Sequence, residues 1–305
     1  FRGGGHTITM RFSPGLDRTE GVFSFNNPAI YDSGYSMGLS ANILRRARED
    51  YDEERKGFKM SVGKTVLNGV RLGVTPNFEV IGIQNIDGNA PNIIKDQQGS
   101  SRKLSLELTA MINRLDNRMV PTRGYKITSS LEFSGLDVDM IKFVAKGTKY
   151  HTVFNFPDWR GKHVLSYGGT LGMIEATSDE GIPIFENFFA GGANSIRGFA
   201  FRGVGPTDVA TGEQIGGKAL ILATTEYTVP VYSDMVRGAF FVDAGKADTD
   251  LNDINFNNFR ATLGFGFRAK VPFMGNSVVA IDFGFPFIRK DKDDEQAITF
   301  NFGGR

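Results

Sequence analysis

Residues able to carry out covalent or metal chemistry are few in this sequence, and none is grouped for it. The three histidines, His6, His151 and His163, share no metal-ligand spacing, and no cysteine is present. Neither a His-Glu-x-x-His zinc motif nor a serine–histidine pair on one strand face is found. We therefore predict no catalytic residue, no resident metal and no cofactor, in a protein that is not an enzyme.

Two acidic stretches contain the oxygen ligands that calcium prefers. One holds Asp248, Asp250 and Asp253, and the other covers residues 291–295. Solvated loop tips are the commoner role of such stretches in proteins. We therefore predict no specific calcium site in either of them.

A different kind of chemistry is indicated by residues 186–199, which read Glu-Asn-Phe-Phe-Ala-Gly-Gly-Ala-Asn-Ser-Ile-Arg-Gly-Phe. This stretch shows neither strand alternation nor helical periodicity, and it carries one arginine, Arg197. Connections this long are uncommon unless they are ordered or functional. An arginine in a shielded space needs a carboxylate partner, and its planar fork suits two parallel hydrogen bonds. We predict a loop that folds back into a β-barrel and is anchored there by Arg197.

The rest of the chain shows period-two alternation of apolar and polar residues, the pattern of strands that bury one face. Residues 104–112 and 259–269 are the clearest examples. Most segments are roughly 9–15 residues long, and a strand that crosses a membrane needs about 9–11. The fourteen predicted strands are residues 5–13, 19–28, 34–47, 55–66, 69–84, 101–113, 124–134, 139–154, 162–175, 218–230, 235–245, 257–271, 276–286 and 295–303.

The connections between these strands alternate in length. Compact turns near 27–32, 67–69, 121–124, 156–161, 230–233 and 272–275 alternate with longer polar loops at 48–55, 85–100, 176–217, 246–256 and 287–294, with a short turn at 135–137 as the exception. Bacterial outer-membrane barrels have short periplasmic turns and long extracellular loops, whereas a soluble β-sandwich has no reason to keep this order. We predict an all-β fold, an antiparallel transmembrane β-barrel of about 14 strands.

Helices contribute little to this prediction. No apolar run reaches the roughly 18 residues that a membrane helix needs, and we predict no helix of three turns or more. The charged residues 43–56 are compatible with a helix and equally with two strand ends joined by a loop.

The composition agrees with a membrane barrel. The 35 Lys and Arg residues balance 34 Asp and Glu residues, so there is no electrostatic case for a nucleic-acid partner. The 38 Gly and 27 Phe residues exceed the usage of ordinary globular domains and suit a wall with aromatics towards lipid. Trp159, near a predicted periplasmic turn, fits an interfacial aromatic girdle. The polar strand faces, which would line the interior, carry Glu107, Glu132, Glu226, Asp243, Asp282, Arg260 and Arg268.

Residues 189–199 resemble the loop-six signature of the BamA-type outer-membrane assembly-factor superfamily, a glycine pair followed by a branched residue, Arg, Gly and an aromatic. The matching residues are Gly191, Gly192, Ile196, Arg197, Gly198 and Phe199. Four further segments resemble the family and occur in the family's order, one before this signature and three after it. They are residues 115–124, 216–230, 238–245 and 264–286. Together these segments cover about residues 114–303. The first hundred residues resemble the family only in their general strand pattern and carry none of these motifs.

The resemblance implies one transmembrane β-barrel domain over residues 1–305, with loop six folded into the lumen. In the family the loop arginine pairs with acidic residues of the barrel wall, which places Arg197 against Glu226 and Asp243. The family barrel has sixteen strands behind periplasmic POTRA repeats. The chain is therefore expected to begin at the family's third strand, without the repeats and the first two strands.

The function that the resemblance implies is outer-membrane protein assembly, in which β-barrel proteins are folded and inserted into the bacterial outer membrane through a lateral seam. An organelle outer membrane is the less favoured location. The expected partners are nascent outer-membrane β-barrel proteins, the lipid bilayer, accessory lipoproteins and periplasmic chaperones. Residues 297–305 resemble the β-signal by which barrels are recognised, although a terminal Gly-Gly-Arg replaces the usual aromatic.

Two other functions remain as alternatives. Polypeptide-translocating pores of the same superfamily, of the two-partner secretion or organelle import type, share the loop-six residues. A passive porin or an outer-membrane phospholipase-like enzyme belongs to a different class. Porins lack the central motif, and the enzyme needs the serine–histidine pair that is not found here.

Overall fold

The computed structural model describes residues 5–48, 50–158, 161–232, 235–249, 258–271 and 277–302. Several sequence-based expectations fall on positions outside these residues. They concern Trp159, Asp250, Asp253, the turn at 272–275 and the terminal residues 303–305.

Fourteen strands form one antiparallel sheet in which each strand pairs with its neighbours in chain order. This confirms the predicted all-β, antiparallel fold. The strands are β1 Thr7–Ser13, β2 Arg18–Asn27, β3 Tyr35–Ala47, β4 Asp52–Leu67, β5 Val70–Gln84, β6 Gly99–Asn113, β7 Gly124–Leu136, β8 Met140–Asn155, β9 Lys162–Ala176, β11 Ala219–Tyr232, β12 Val236–Asp248, β13 Arg260–Val271, β14 Ser277–Ile288 and β16 Ile298–Phe302.

Two further short segments, β10 Gly198–Phe199 and β15 Glu295–Gln296, pair only with each other. The helical elements of the described residues are α1 Asn92–Lys95 and two 3-10 turns at Ile30–Asp32 and Ile184–Glu186. No helix among the described residues has the length and apolar character needed to cross a membrane.

The two faces of the sheet differ in chemistry because successive side chains of a strand point to opposite sides. On the outer face, the register aligns Phe23, Ala41, Phe58, Phe78 and Leu104 across five neighbouring strands. The four large side chains of this row are 43–53% exposed. A row of exposed apolar side chains on every strand fits contact with lipid.

The inner face is polar along most of the strands but apolar near one end. Inward-facing Ile81, Ile83 and Ile174 are almost fully buried with Tyr51 and Met140 in one cluster. The connection between β5 and β6 adds Ile94 of α1 to this cluster, and the start of the β9–β11 connection adds Ile184. An apolar core therefore lies inside the sheet, where the strand pattern predicted only a polar lining.

The described positions within the charged residues 43–56 form the end of β3 and the start of β4, not a helix. The register places Arg45 opposite Glu54 and Arg46 opposite Glu53. Opposite charges in directly facing positions stabilise a strand pair. Of the two interpretations left open by the charge of this segment, the structure therefore supports the two strand ends.

The last predicted strand, 295–303, is divided in the structure. Residues 298–302 pair with β14, whereas residues 295–296 turn away and pair with β10. The backbone N–H of Gly284 donates to the carbonyl of Ala297 at 2.8 Å, and the next N–H on that side would belong to residue 286. That residue is Pro286, which has no N–H to donate, so the β14–β16 ladder ends there.

The turn between β6 and β7 is organised by the side chain of Asp116. Its Oδ1 accepts hydrogen bonds from the backbone N–H groups of Asn117, Thr122 and Arg123 at 2.9–3.0 Å. Its Oδ2 accepts the hydroxyl of Thr122. Burial opposes ionisation, but these hydrogen bonds outweigh it and lower the pKa of Asp116 to about 2.

This turn should give the protein a measurable acid sensitivity. Because the pKa of Asp116 is lower in the folded chain than in the unfolded chain, where it is about 3.9, its contribution is complete above that value and is lost as pH falls through about 2. We expect Asp116→Asn to flatten the fall in unfolding midpoint between pH 4 and pH 2. Asp179→Asn, at an exposed position, is the control and should keep the wild-type slope.

Candidate functional site

Loop six, residues 177–218 between β9 and β11, lies inside the curved sheet. Side chains from strands on both sides of it reach the same loop. The residues that make these contacts are Arg55 of β4, Lys103 of β6, Lys142 of β8, Glu226 of β11, Asp243 of β12, Asp282 of β14 and Asn301 of β16. The sheet therefore wraps around loop six, as predicted.

Arg197 of loop six is fully buried against β11 and β12. Its Nε and Nη2 donate to the two carboxylate oxygens of Asp243 at 2.7 and 2.8 Å. Its Nη1 donates to Oε2 of Glu226 at 2.6 Å. The backbone N–H of Arg197 also donates to Asp243, at 3.1 Å. The structure thus brings together the three residues that the sequence placed at this anchor.

Four residues that the sequence analysis did not assign to the anchor complete it. Arg268 donates to Glu226 and to Asp282, in each case at 2.7 Å. Asp282 lies 3.5 Å from Nη1 of Arg197. Thr224 donates its hydroxyl to Asp243 at 2.6 Å, and the Arg197 guanidinium carbon is 3.3 Å from the ring centroid of Phe241.

Three carboxylates thus surround two guanidinium groups on the inner face of β11 to β14. Burial opposes the charge on Arg197, but hydrogen bonding and attraction from Asp243, with Glu226 and Asp282, outweigh it and raise its pKa. A cation held this way stays charged at any pH at which the protein is folded. The arrangement fixes a loop in place and offers no group poised for proton transfer.

The glycines of the signature allow the loop backbone to approach the wall. Gly198 has φ +92°, and a Cβ there would lie 2.8 Å from Cγ2 of Thr262 and 3.1 Å from the carbonyl carbon of Gly284. Gly191 has φ +100° and faces the carbonyl of Ala200, while Gly192 has φ +94°. The positive φ angles favour glycine at all three positions. At Gly198, the neighbouring atoms of Thr262 and Gly284 also leave no room for a side chain. Phe199 is fully buried in an apolar cluster with Ile196.

Alanine at Gly198 should therefore be more harmful than alanine at a glycine with the same backbone but open surroundings. Gly212, in the same loop, has φ +81° and nothing near its Cβ position. We expect Gly212→Ala to destabilise by about 1 kcal/mol through the left-handed backbone, and Gly198→Ala by about 2–4 kcal/mol once overpacking is added. Equal losses in denaturant unfolding of the two variants would contradict the close approach.

A second anchor, which the sequence analysis missed, holds the start of loop six. The carboxylate of Glu186 lies 3.0 Å from Lys103 Nζ, 3.0 Å from Lys142 Nζ and 3.6 Å from Arg55 Nη1. Burial alone would raise the pKa of Glu186, but attraction from Lys142, Lys103 and Arg55 outweighs it and lowers the pKa to about 2. Loop six is therefore fixed to β4, β6 and β8 as well as to β11–β14.

Loop six also holds the segment that precedes the last strand. Besides the β10–β15 pair, the backbone N–H of Ala200 donates to Asp294 at 2.8 Å, and that of Asp294 donates to Gly203 at 2.9 Å. Asn301 of β16 donates to the side-chain oxygen of Asn194 at 2.9 Å. Residues 294–296, which lead into β16, are thus paired with loop six instead of with β14.

The candidate metal ligands and the candidate nucleophile among the described residues have other contacts. In the described part of the chain, no group of three or more His, Asp or Glu residues could hold a metal ion. Asp248 pairs with Lys246, and Asp293 pairs with Arg260 at 2.6 Å. Residues 34–38 have the Gly-x-Ser-x-Gly spelling of a nucleophile elbow, which was overlooked in the prediction that no such motif exists, but they enter β3 and not a strand–helix turn.

The serine of this pentapeptide makes only structural contacts. Ser36 donates to the carbonyl of Gly63 at 3.2 Å and accepts from Arg71 at 2.6 Å. No histidine is among its hydrogen-bond partners in the described residues. Ser36 therefore lacks the base that a nucleophilic serine requires.

Comparison with known proteins places the chain among outer-membrane barrels. The Omp85 superfamily domain matches residues 1–305. The outer membrane protein assembly factor BamA of Nitratidesulfovibrio vulgaris is 30% identical over 292 residues, covering 92% of this chain and 35% of that protein. BamA of Neorickettsia risticii is 26% identical over 288 residues, covering 90% of this chain and 38% of that protein.

A solved structure shares the fold. The crystal structure of BamA from Haemophilus ducreyi lacking POTRA domains 1-3 superposes with a TM-score of 0.83 at 19% identity, covering 98% of this chain and 64% of that chain. The chain spans between 35% and 38% of the length of the two curated relatives.

Proposed function

Because the chain belongs to the Omp85 superfamily, we propose that it is the β-barrel of an outer-membrane protein assembly factor. In this role it lies in the bacterial outer membrane and folds and inserts other β-barrel proteins. The two BamA relatives described above carry the name of this activity. The proposal includes one barrel domain over residues 1–305, preceded in the complete protein by POTRA repeats and two further strands.

The observation that carries the proposal is the weak attachment of the last strand. Among the described residues, which end at Phe302, β16 pairs with β14 over five residue pairs, whereas β13 and β14 pair over eleven. β16 is also an end strand of the sheet order among the described residues. An end strand presents backbone N–H and C=O groups that can pair with an incoming strand.

The mechanism we propose needs no covalent chemistry. An unfolded substrate strand pairs with the edge of the sheet, and the substrate gains backbone hydrogen bonds before it enters lipid, where unpaired groups are costly. The two anchors of loop six keep the rest of the wall in register while the edge opens. Nascent β-barrel proteins and the bilayer are the partners of this step, and accessory lipoproteins and periplasmic chaperones would deliver the substrate.

Reconstitution of the full-length protein into liposomes tests this function. An unfolded outer-membrane β-barrel substrate is added, and its folding is followed by heat-modifiable gel mobility. We expect faster folding than in liposomes that hold an unrelated porin at the same density. Substrate that becomes protease-protected inside the vesicles without integrating would instead identify a translocating pore, and equal folding rates in both liposomes would rule out assembly.

A further inference from the structure

Four arginines converge at the loop end of β2 and β3, on the face that carries Glu53. Arg18 and Arg46 are directly opposite each other in the β2–β3 register. Arg48 follows two residues after Arg46, and Arg202 approaches from loop six. The positive charges of Arg18, Arg48 and Arg202 all act on Arg46.

The nearby carboxylates are already used by other guanidinium groups. Oε2 of Glu53 accepts Nε and Nη2 of Arg48 at 3.2 and 2.9 Å, and its Oε1 accepts Arg55 at 2.6 Å. Arg18 pairs with Glu20 at 3.1 Å. In the described residues, neither Arg46 nor Arg202 makes a hydrogen bond to a carboxylate. The cluster therefore carries more positive than negative charge.

Arg202 interacts with the side chain of Tyr51 and has an unusual backbone conformation. Its φ is +66°, a region that non-glycine residues enter rarely and mostly at functional positions. Its guanidinium carbon lies 3.7 Å from the ring centroid of Phe189. Burial and repulsion from Arg48 lower the pKa of Arg202. Burial and repulsion therefore outweigh the attraction that Tyr51 and Glu53 exert on Arg202.

We propose that Arg18, Arg46, Arg48 and Arg202 form a binding site for a phosphate group. A phosphate carries up to two negative charges and several acceptor oxygens, which suits several planar guanidinium forks at once. A single carboxylate would neutralise only one of them. The site is open to solvent, because the side chain of Arg18 is 53% exposed and Phe201 beside Arg202 is 69% exposed.

The bound phosphate would connect parts of the molecule that the two anchors leave unconnected. Arg197 and Glu186 fix loop six to β4, β6, β8 and β11–β14, whereas Arg18 and Arg46 belong to β2 and β3. A phosphate shared between these arginines and Arg202 would tie loop six to the N-terminal strands. The same chemistry is offered by free phosphate and by the phosphate of a lipid headgroup.

The test measures the unfolding midpoint of the full chain, in micelles of an uncharged detergent, from its heat-modifiable gel mobility. Inorganic phosphate and pyrophosphate are compared with chloride at equal ionic strength. Arg46→Gln removes one cation that makes no hydrogen bond to a carboxylate in the described residues. Arg45→Gln is the matched control, because Arg45 is the adjacent residue on the opposite face and pairs with Asp52 at 3.0 Å.

We expect phosphate or pyrophosphate to raise the midpoint of the wild type and of Arg45→Gln. Arg46→Gln should need at least tenfold more of the anion for the same increase. Without phosphate, Arg46→Gln should change the midpoint little, because relief of repulsion from Arg18, Arg48 and Arg202 offsets the lost attraction of Glu53. Arg202→Lys, which keeps the charge but loses the planar fork, should also need more anion.

A second arm distinguishes the sources of the phosphate. Micelles doped with a phosphate-bearing lipid are compared with micelles doped with an uncharged lipid. Stabilisation by the phosphate-bearing lipid at concentrations where free phosphate has no effect supports a headgroup site, and stabilisation by free phosphate supports a soluble ligand. The proposal is overturned if neither stabilises the wild type, or if Arg45→Gln loses the response as fully as Arg46→Gln.

Discussion

Replacing Arg197 with alanine is expected to detach loop six from β11 and β12 and to destabilise the protein by about 3–5 kcal/mol. The size of the effect follows from the burial of both partners, since Arg197 and Asp243 are inaccessible to solvent. Removal of the arginine leaves the carboxylate of Asp243 buried without its main partner. Heat-modifiable gel mobility and proteolysis of residues 177–218 would measure the loss. Arg118→Ala, at an exposed position, is the control.

A charge swap separates the ion pair from the general effect of mutation. Asp243→Arg alone places two guanidinium groups together and should be at least as harmful as Arg197→Ala. Adding Arg197→Asp should restore part of the stability. Full restoration is not expected, because Asp243 also accepts Thr224 and the backbone N–H of residue 197. Single and double variants with wild-type stability would contradict a buried anchor.

Replacing Glu186 with glutamine is expected to have the second largest effect. The side chain keeps its shape but leaves Lys103, Lys142 and Arg55 without their shared carboxylate, and we expect a loss of about 3 kcal/mol, the lower end for breaking a buried pair. Limited proteolysis should then cut the first part of loop six sooner. Glu180→Gln, in the same loop and exposed, is the matched control.

The same variant should change the response to acid. The pKa of Glu186 falls from 4.5 to about 2 on folding, so its contribution is complete above pH 4.5 and is lost as pH falls through about 2. Glu186→Gln should be least stable relative to the wild type at neutral pH and should approach it near pH 2. A constant difference at all pH values would show that Glu186 acts through packing alone.

The strands were predictable because both faces of the sheet have simple requirements. Lipid selects apolar side chains and the lumen accepts polar ones, so period two persists through segments such as 104–112. Position on the polar face also indicated Asp282 and Arg268 as lumenal. Their membership of the Arg197 anchor was not predictable, because strand parity gives the face of a residue but not its neighbours across the lumen.

Three features escaped prediction because they depend on contacts distant in sequence. Glu186 looks like one polar residue in an apolar loop, and its partners are 44 to 131 residues earlier in the chain. Inward-facing Ile81 and Ile83 interrupt the polar lining because α1 and loop six cover them. The division of the last strand depends on Pro286, whose missing N–H matters only once its partner strand is known.

The pairing of β10 with β15 makes loop six and the final strand parts of one thermodynamic linkage. Coupling between two sites is reciprocal. If release of the Arg197 anchor loosens the segment that leads into β16, then any molecule that draws β16 outward must weaken the Arg197 anchor by the same free energy. The state of loop six would then depend on occupancy of the sheet edge, although the two are joined by only two residue pairs and a few hydrogen bonds.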